Sequence, residues 1–304
     1  MTDAKRASAG HKLGQLVGDW FEEFLVLPLL QRVADHLRLF LDHRFRTRKS
    51  RAGDKIIWRD VEGNAVDYDF VMELGANEAT VGIPVAFFEC FWRRGNRHSK
   101  DKARDDTGKL LPMRDVHPTA RFLGIVAGGD FTTPARDLVI NRRIDLFYIP
   151  KAKIISAFEN HGLQIDYPDR LPEPDKAALA DTFDAALTRE VKQNAAATLC
   201  ELIGAASLDS FVDRVRAALG ALPQEIRLIQ QQQSTPVVFE TIASATKFLR
   251  SPVFDLSQPT TNFVYEITYT DGTEFERPLD TIEEVRTLHS QIERLAGHMS
   301  SLKR

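Results

Sequence analysis

Two stretches decide the fold: Val66-Asp67-Tyr68-Asp69-Phe70-Val71-Met72-Glu73-Leu74 and Ile83-Pro84-Val85-Ala86-Phe87-Phe88-Glu89-Cys90-Phe91-Trp92. The second is almost continuously apolar, the pattern of a strand covered on both faces. The first alternates: Val66, Tyr68, Phe70, Met72 and Leu74 fall on one face, Asp67, Asp69, Val71 and Glu73 on the other. A polar turn from Gly75 to Thr80 joins them. Upstream, Ile56 to Trp58 reads as a strand closed by a turn at Glu62-Gly63-Asn64. Downstream, Arg121 to Ala127 and Asp145 to Ile149 add two strands. Arg97 to Asp106 is a helix or charged loop, and Lys153 to Asn160 a helix after Pro150. Alternating strands and helices predict a mixed α/β core, a mixed sheet flanked by helices.

Outward from this core, Leu13, Leu16, Val17, Trp20 and Phe24, then Val33, Leu37 and Leu41, predict two amphipathic helical segments with a kink near Pro28. The run Arg44, Arg46, Arg48, Lys49, Arg51 reads as an exposed connection. Beyond the core, Pro168 to Pro174 reads as a linker and Asp175 to Ala221 as two helices meeting near Gly204 and Ser207; the glutamines Gln230 to Gln233 are too few for low complexity. Phe263 to Tyr269 and Glu274 to Arg277 flank Thr270-Asp271-Gly272 as a hairpin, and Thr281 with Glu284 has capping-box spacing for a last helix. The expected organisation is an N-terminal helical segment at 1–50, an α/β core at 51–166, and a helical and hairpin region at 167–304 serving dimerisation or DNA gripping. No internal repeat is present.

The chain has 304 residues, 43% of them hydrophobic, enough for a substantial core. A net charge of −3 argues against coating nucleic acid by bulk positive charge and leaves local patches as the means of phosphate contact. Cys90 and Cys200 stand alone, which excludes a disulfide framework and structural zinc and fits a reducing cytoplasm. Phe24 to Leu30 is far shorter than the roughly 20 residues of a membrane span, and Met1 to Gly10 lacks the apolar centre of a signal peptide.

Glu89 is the most informative residue, because an ionisable group inside an apolar strand costs several kcal/mol unless it is paired or holds a metal. Asp69, on a neighbouring strand, is placed to meet it across the sheet; two converging carboxylates repel unless a cation such as Mg²⁺ lies between them. The competing reading of Glu89 is a buried ion pair with Arg93 or Arg94. Asp67 is better read as a solubilising strand-end residue. Gly128-Gly129-Asp130 is read as a tight turn, since no Lys-Ser/Thr follows to make a phosphate loop.

At these residues the chain resembles the PD-(D/E)XK, or restriction-endonuclease-like, nuclease superfamily. In that fold an Asp enters one strand of a hairpin, a Glu-x-Lys triplet lies on the next, and a helix follows. The matching stretches are Val66 to Val71 and Pro84 to Arg94. The resemblance implies a restriction-endonuclease-like fold with Asp69 and Glu89 binding Mg²⁺, or Mn²⁺ in its place, assisted by the carbonyl of Cys90. The usual lysine is Phe91 here, and a hydrophobic ring neither orients a water nor offsets charge. Lys102, or Lys100, reaching back from the next helix, or Arg93 on the same strand face, is the expected substitute, with Lys102 and Arg93 favoured. Glu22 resembles the extra acid that some members contribute from an N-terminal helix, although its expected state is exposed.

Arg93, Arg94, Arg97, His98, Lys100 and Lys102 concentrate positive charge directly after the site and are the expected contacts to double-stranded DNA. His98, Lys100 and Asp105 match the HxKxxxxD signature of phospholipase D-type nucleases, but the chain lacks the accompanying Gly-Ser pair and the second copy, so the match is coincidental. The resulting expectation is a Mg²⁺-dependent endonuclease of restriction or anti-phage defence, acting as a homodimer. The alternatives are a nuclease-fold protein that binds DNA without cutting, for which Phe91 argues, and an interaction subunit of a defence complex.

Overall fold

The computed structural model describes residues 9–230, 236–251 and 262–302; Gln231 to Gln233 of the glutamine run lie outside them. The chain begins with α1 (Ala9–Trp20), passes through a π-helical turn (Phe21–Val26) into α2 (Leu27–Leu37), and then forms β1 (Phe40–His43). The bend comes from this turn. Pro28 has no N–H for the helix ladder, and the Leu27 N–H reaches back to the Glu22 carbonyl, widening the turn ahead of the proline.

A ribbon of β2 (Ile56–Arg59) and β3 (Ala65–Tyr68) precedes β4 (Phe70–Leu74), β5 (Ile83–Arg93), α3 (Ser99–Val116), β6 (Phe122–Gly129), α4 (Thr133–Asn141), β7 (Asp145–Pro150) and α5 (Lys151–Glu159). The five-stranded sheet runs β1-β4-β5-β6-β7, antiparallel from β1 to β5 and parallel from β5 to β7. The fold is mixed α/β, and β5 is covered on both faces, as its apolar run predicts. One face packs on α1, the π turn and α2 through Phe70, Met72, Phe88 and Cys90; the other packs on α3 and α4 through Val71, Phe87, Phe91 and Ile125. Gly129 ends β6 at φ 100°, where an added Cβ would lie 1.9 Å from the Arg93 carbonyl oxygen, so the tight turn read there needs glycine.

Three expectations for the stretch from Arg44 to Val116 are corrected. Val66 to Leu74 is two strands rather than one: the chain breaks at Asp69, so Val66 and Tyr68 face the α3 side while Phe70, Met72 and Leu74 face α1 and α2. The acids therefore do not share one face. Arg97 to Asp106 is only the start of α3, which continues to Val116. The basic run after α2 is not an exposed connection. Arg48 is 3% exposed and binds the carboxylates of Asp42 and Glu73, Arg51 binds Asp42 at 2.7 Å, and Gly82 N–H donates to Glu73 at 2.7 Å. These groups close the outer end of the β1–β4 pair, where an unpaired buried charge would be costly.

After Asn160, α6 (Glu173–Ala186), α7 (Arg189–Ile203) and α8 (Ala205–Gly220) follow, three helices where two were expected. Thr188 caps α7 by accepting the Val191 N–H, which splits the run; Gly204 does mark the α7–α8 junction. Their apolar faces belong to the same core as α1 and α2, so the boundary expected near 166 falls inside a continuous core. A second core lies in the last third, where β8 (Pro223–Gln230), β9 (Val237–Phe239), β10 (Phe263–Tyr269) and β11 (Glu274–Leu279) form a sheet of order β11-β10-β8-β9. It is covered by α9 (Ile242–Leu249) and α10 (Ile282–Leu302). The expected hairpin and the Thr281–Glu284 capping box are both present. Among the described residues no single helix is long and apolar enough to cross a membrane.

Candidate active site

The break at Asp69 lies between the β2–β3 ribbon and the main sheet, opposite the middle of β5. Because Asp69 sits outside both strands, its carboxylate turns toward β5 and accepts the Cys90 main-chain N–H at 2.7 Å. Glu22, at the π turn, approaches from the helical side. Ligand atoms of Glu22, Asp69 and Cys90 lie within 4.8 Å of one another. Glu22 is not exposed as expected: it is half-buried, with Arg44 donating to its carboxylate at 2.7 Å.

Glu89 enters from the α3 side of β5 and is 2% exposed. It does not pair with Arg93 or Arg94. Lys109, in the middle of α3, donates to its Oε2 at 3.0 Å. Tyr68 donates its hydroxyl to the Lys109 carbonyl at 2.8 Å, fixing the helix against the ribbon. One turn or two earlier on the same helix face, Lys102 binds Asp106 at 2.7 Å and lies 5.2 Å from the centre of the Phe91 ring. The ammonium of Lys102 is thus held above the Phe91 ring. Glu89 is not one of the three closest ligand groups; what links it to them is the charge of Asp69, which raises it.

The electrostatics describe a site crowded with acids. Burial, then the charge of Asp69, pushes Glu22 up to about 7. Burial raises Asp69, opposed by the Cys90 N–H and by Lys102 and Lys109. Burial, followed by Asp69 and Asp106, pushes Glu89 up to about 8. Asp106 is raised by burial as well, and the Cys90 thiol is pushed up by burial and the three acids around it, so it stays protonated. For Lys102, burial pulls the pKa down, but Asp106, Glu89 and Asp69 outweigh it and hold it above its ordinary value. Lys102 is therefore a fixed positive charge and not a proton acceptor.

Glu89 Oε1 and Asp106 Oδ2 are buried without a hydrogen-bond partner. Carboxylate oxygens left in this state, within the field of Asp69, fit a divalent cation, which binds hard oxygen donors and removes the repulsion between them. Glu22 and Asp69, whose ligand atoms converge, would hold such an ion, and Glu89 would join them by releasing Lys109. The Cys90 thiol, neutral and soft, suits Mg²⁺ poorly, which leaves the main-chain carbonyl as the donor expected from that residue.

The other expected site residues are scattered. Arg93 donates to the Arg97 carbonyl and does not reach the carboxylates. Arg94 is tied to the Tyr167 carbonyl and Asp169 and stacks 4.1 Å from the Tyr167 ring, which makes it a structural strap. Arg97 and Lys100 are exposed, and His98 pairs with Asp101 at the start of α3. Asp67 is half-exposed beside Lys55, as expected. A helix ending at Asp106 leaves Lys109 out of reach; α3 continues past it, and the spacing of Lys102, Asp106 and Lys109 puts all three on one face. No family model, curated protein or solved structure matches this chain.

Proposed function

We propose that this protein is a Mg²⁺-dependent endonuclease that hydrolyses DNA phosphodiester bonds, in a cytoplasmic restriction or anti-phage setting. The observation that carries the reading is Asp69, raised by burial and itself raising Glu22 on one side and Glu89 on the other by its charge, with the cations of Lys102 and Lys109 acting on Asp69 and Glu89. A hairpin in which Asp69 enters one strand, Glu89 lies on the next and a helix follows agrees with the restriction-endonuclease-like pattern. The same local arrangement supports naming the fold after that superfamily.

A divalent ion at this site would polarise a phosphate oxygen and lower the pKa of a bound water. The carboxylates of Asp69 and Glu89 would orient the ion, with the Cys90 N–H holding Asp69 in place. Lys102, permanently charged, offsets the negative charge that develops on the phosphate, the task the lysine of the motif would have performed from position 91. Lys109 holds Glu89 and shields it from the bulk. Arg97 and Lys100, exposed around the start of α3, would supply contacts to a phosphate backbone. Action as a homodimer belongs to the same proposal, because two copies cut two strands.

The test is cleavage of supercoiled plasmid in Mg²⁺ by the wild-type chain and by Glu89→Ala. The proposal expects nicking by the first and none by the second; equal cutting by both would remove Glu89 from the reaction.

A further inference from the structure

A cavity of about 600 Å³ lies away from the carboxylates, between the last turn of α3, the starts of β6 and β7, and the β10–β11 hairpin. It shares none of its lining residues with the candidate active site. Three guanidinium groups line it, those of Arg114, Arg121 and Arg143. Arg121 is fully engaged: it stacks 3.3 Å from the centre of the Tyr269 ring and donates to Asp271 at 3.2 Å and to Thr273 at 2.9 Å. That contact ties the hairpin to the sheet and builds one wall.

Arg114 and Arg143 differ, because among the described residues neither side chain makes a hydrogen bond or an ion pair. Arg114 is half-buried, and burial, with Arg121 and Arg143 adding to it against Asp115, lowers its pKa. Of the acids at the cavity, Asp145 is already bound by Arg214 at 2.8 and 3.0 Å. Glu274 is the remaining one and is exposed at the rim. The cavity therefore holds forked donors in excess of acceptors, beside the half-buried ring of Phe275.

We propose that this cavity binds a phosphorylated nucleoside, the phosphate held by Arg114 and Arg143 and the base laid against Phe275. Guanidinium forks match phosphate oxygens two at a time, and the cavity has the size of a small-ligand pocket with one aromatic wall. A free nucleotide and the 5′-phosphate end of a nucleic-acid strand carry the same chemistry. Occupancy would draw the hairpin and the main sheet together. The site is independent of the nuclease reading.

Titration calorimetry on the full chain in EDTA tests it, with deoxyadenosine 5′-monophosphate, deoxyadenosine, inorganic phosphate, and a tetranucleotide with and without a 5′-phosphate. Saturable binding is expected for the monophosphate or the phosphorylated tetranucleotide, but not for deoxyadenosine or the unphosphorylated strand. Which of the two binds identifies the source. Arg143→Asn, chosen because asparagine tolerates the φ of 57° at that position, weakens binding about tenfold, the loss of one charge-assisted contact. Arg114→Gln does the same and melts no lower than wild type without ligand, since it removes an unpaired charge. Asp69→Asn leaves binding unchanged. No saturable heat from either the monophosphate or the 5′-phosphorylated tetranucleotide, inorganic phosphate binding as tightly as both, or wild-type affinity in Arg143→Asn overturns the proposal.

Discussion

Replacing Glu89 with glutamine separates a metal ligand from a structural ion pair. In the folded chain without metal the Glu89 carboxyl is pushed from 4.5 up to about 8, by burial first and then by Asp69 and Asp106. A carboxyl raised by folding holds its proton where the unfolded chain has released it. Its favourable contribution is therefore complete below pH 4.5 and is lost as pH rises toward 8. At ~1.4 kcal/mol per pH unit, the window is worth on the order of 5 kcal/mol. That figure already includes the opposing pull of Lys109, and water beside the Lys109 side chain, 38% exposed, reduces it further. Metal-free Glu89→Gln should then be more stable than wild type at pH 8 by about 2–4 kcal/mol, and equal to it near pH 4.5. Urea denaturation in EDTA at the two pH values measures this. Adding Mg²⁺ at pH 8 should raise the stability of the wild type and leave the variant unchanged, because only the wild type holds the ion. If the variant is instead less stable at pH 8 by about 3–5 kcal/mol, Glu89 exists to pair with Lys109 and the argument for a cation fails.

Other outcomes follow from particular contacts. Lys102→Met should slow plasmid nicking by roughly 10²–10³-fold while leaving Mn²⁺ affinity within a few-fold of wild type, since Lys102 offsets charge and is no ligand; an unchanged rate in a cleavage time course would disprove its role. Arg48→Met leaves Asp42 and Glu73 buried without their main partner and should cost about 3–5 kcal/mol in urea denaturation; a loss below ~1 kcal/mol would show that water replaces the guanidinium. His117 packs between Trp58 and Phe87 with a buried, unpartnered Nε2, and burial, then Arg277, lowers it to about 4. The unfolded chain binds that proton below pH 6.5 and the fold does not, so stability falls on acidification from 6.5 to 4, by about 2–3 kcal/mol at most. His117→Leu should flatten that part of the pH–stability curve, and an unchanged slope would exclude His117 as its source.

Much of the fold was legible because it follows from local pattern. A run such as Ile83 to Trp92 is stable only with both faces covered, and Thr270-Asp271-Gly272 between alternating segments is a hairpin wherever it occurs. What was not legible depends on breaks of phase and on distant partners. The chain interrupts its alternation at Asp69, which reverses the faces of Val66 and Tyr68 relative to Phe70. No residue in that stretch is a glycine or proline that would announce the interruption. Glu22 reads as exposed on a wheel of 3.6 residues, but it sits at a π turn, where that wheel does not apply. The run from Arg44 to Arg51 carries the composition of a solvated face. Only the folded chain brings Asp42, Glu73, Asp19 and Glu22 to it.

For the candidate site, Asp69 and Glu89 draw notice in the sequence as a second acid on a neighbouring strand and an acid inside an apolar one. The cation was readable only in part. Lys102, expected to reach back from the next helix, lies over the Phe91 ring; Arg93 is turned to the Arg97 carbonyl, and Lys109 comes into view only because α3 runs past Asp106. Residue type and order indicate which charges exist; helix length decides which of them reach one another.

The most direct measurement is the anomalous difference density of a crystal soaked in Mn²⁺. The account predicts one peak within about 2.0–2.6 Å of carboxylate oxygens of both Asp69 and Glu89, the range for hard divalent cations on oxygen, with Glu89 Oε2 released from Lys109. Absence of a peak at saturating Mn²⁺, or a peak that leaves the Glu89–Lys109 bond intact and Glu89 outside the coordination sphere, would contradict it.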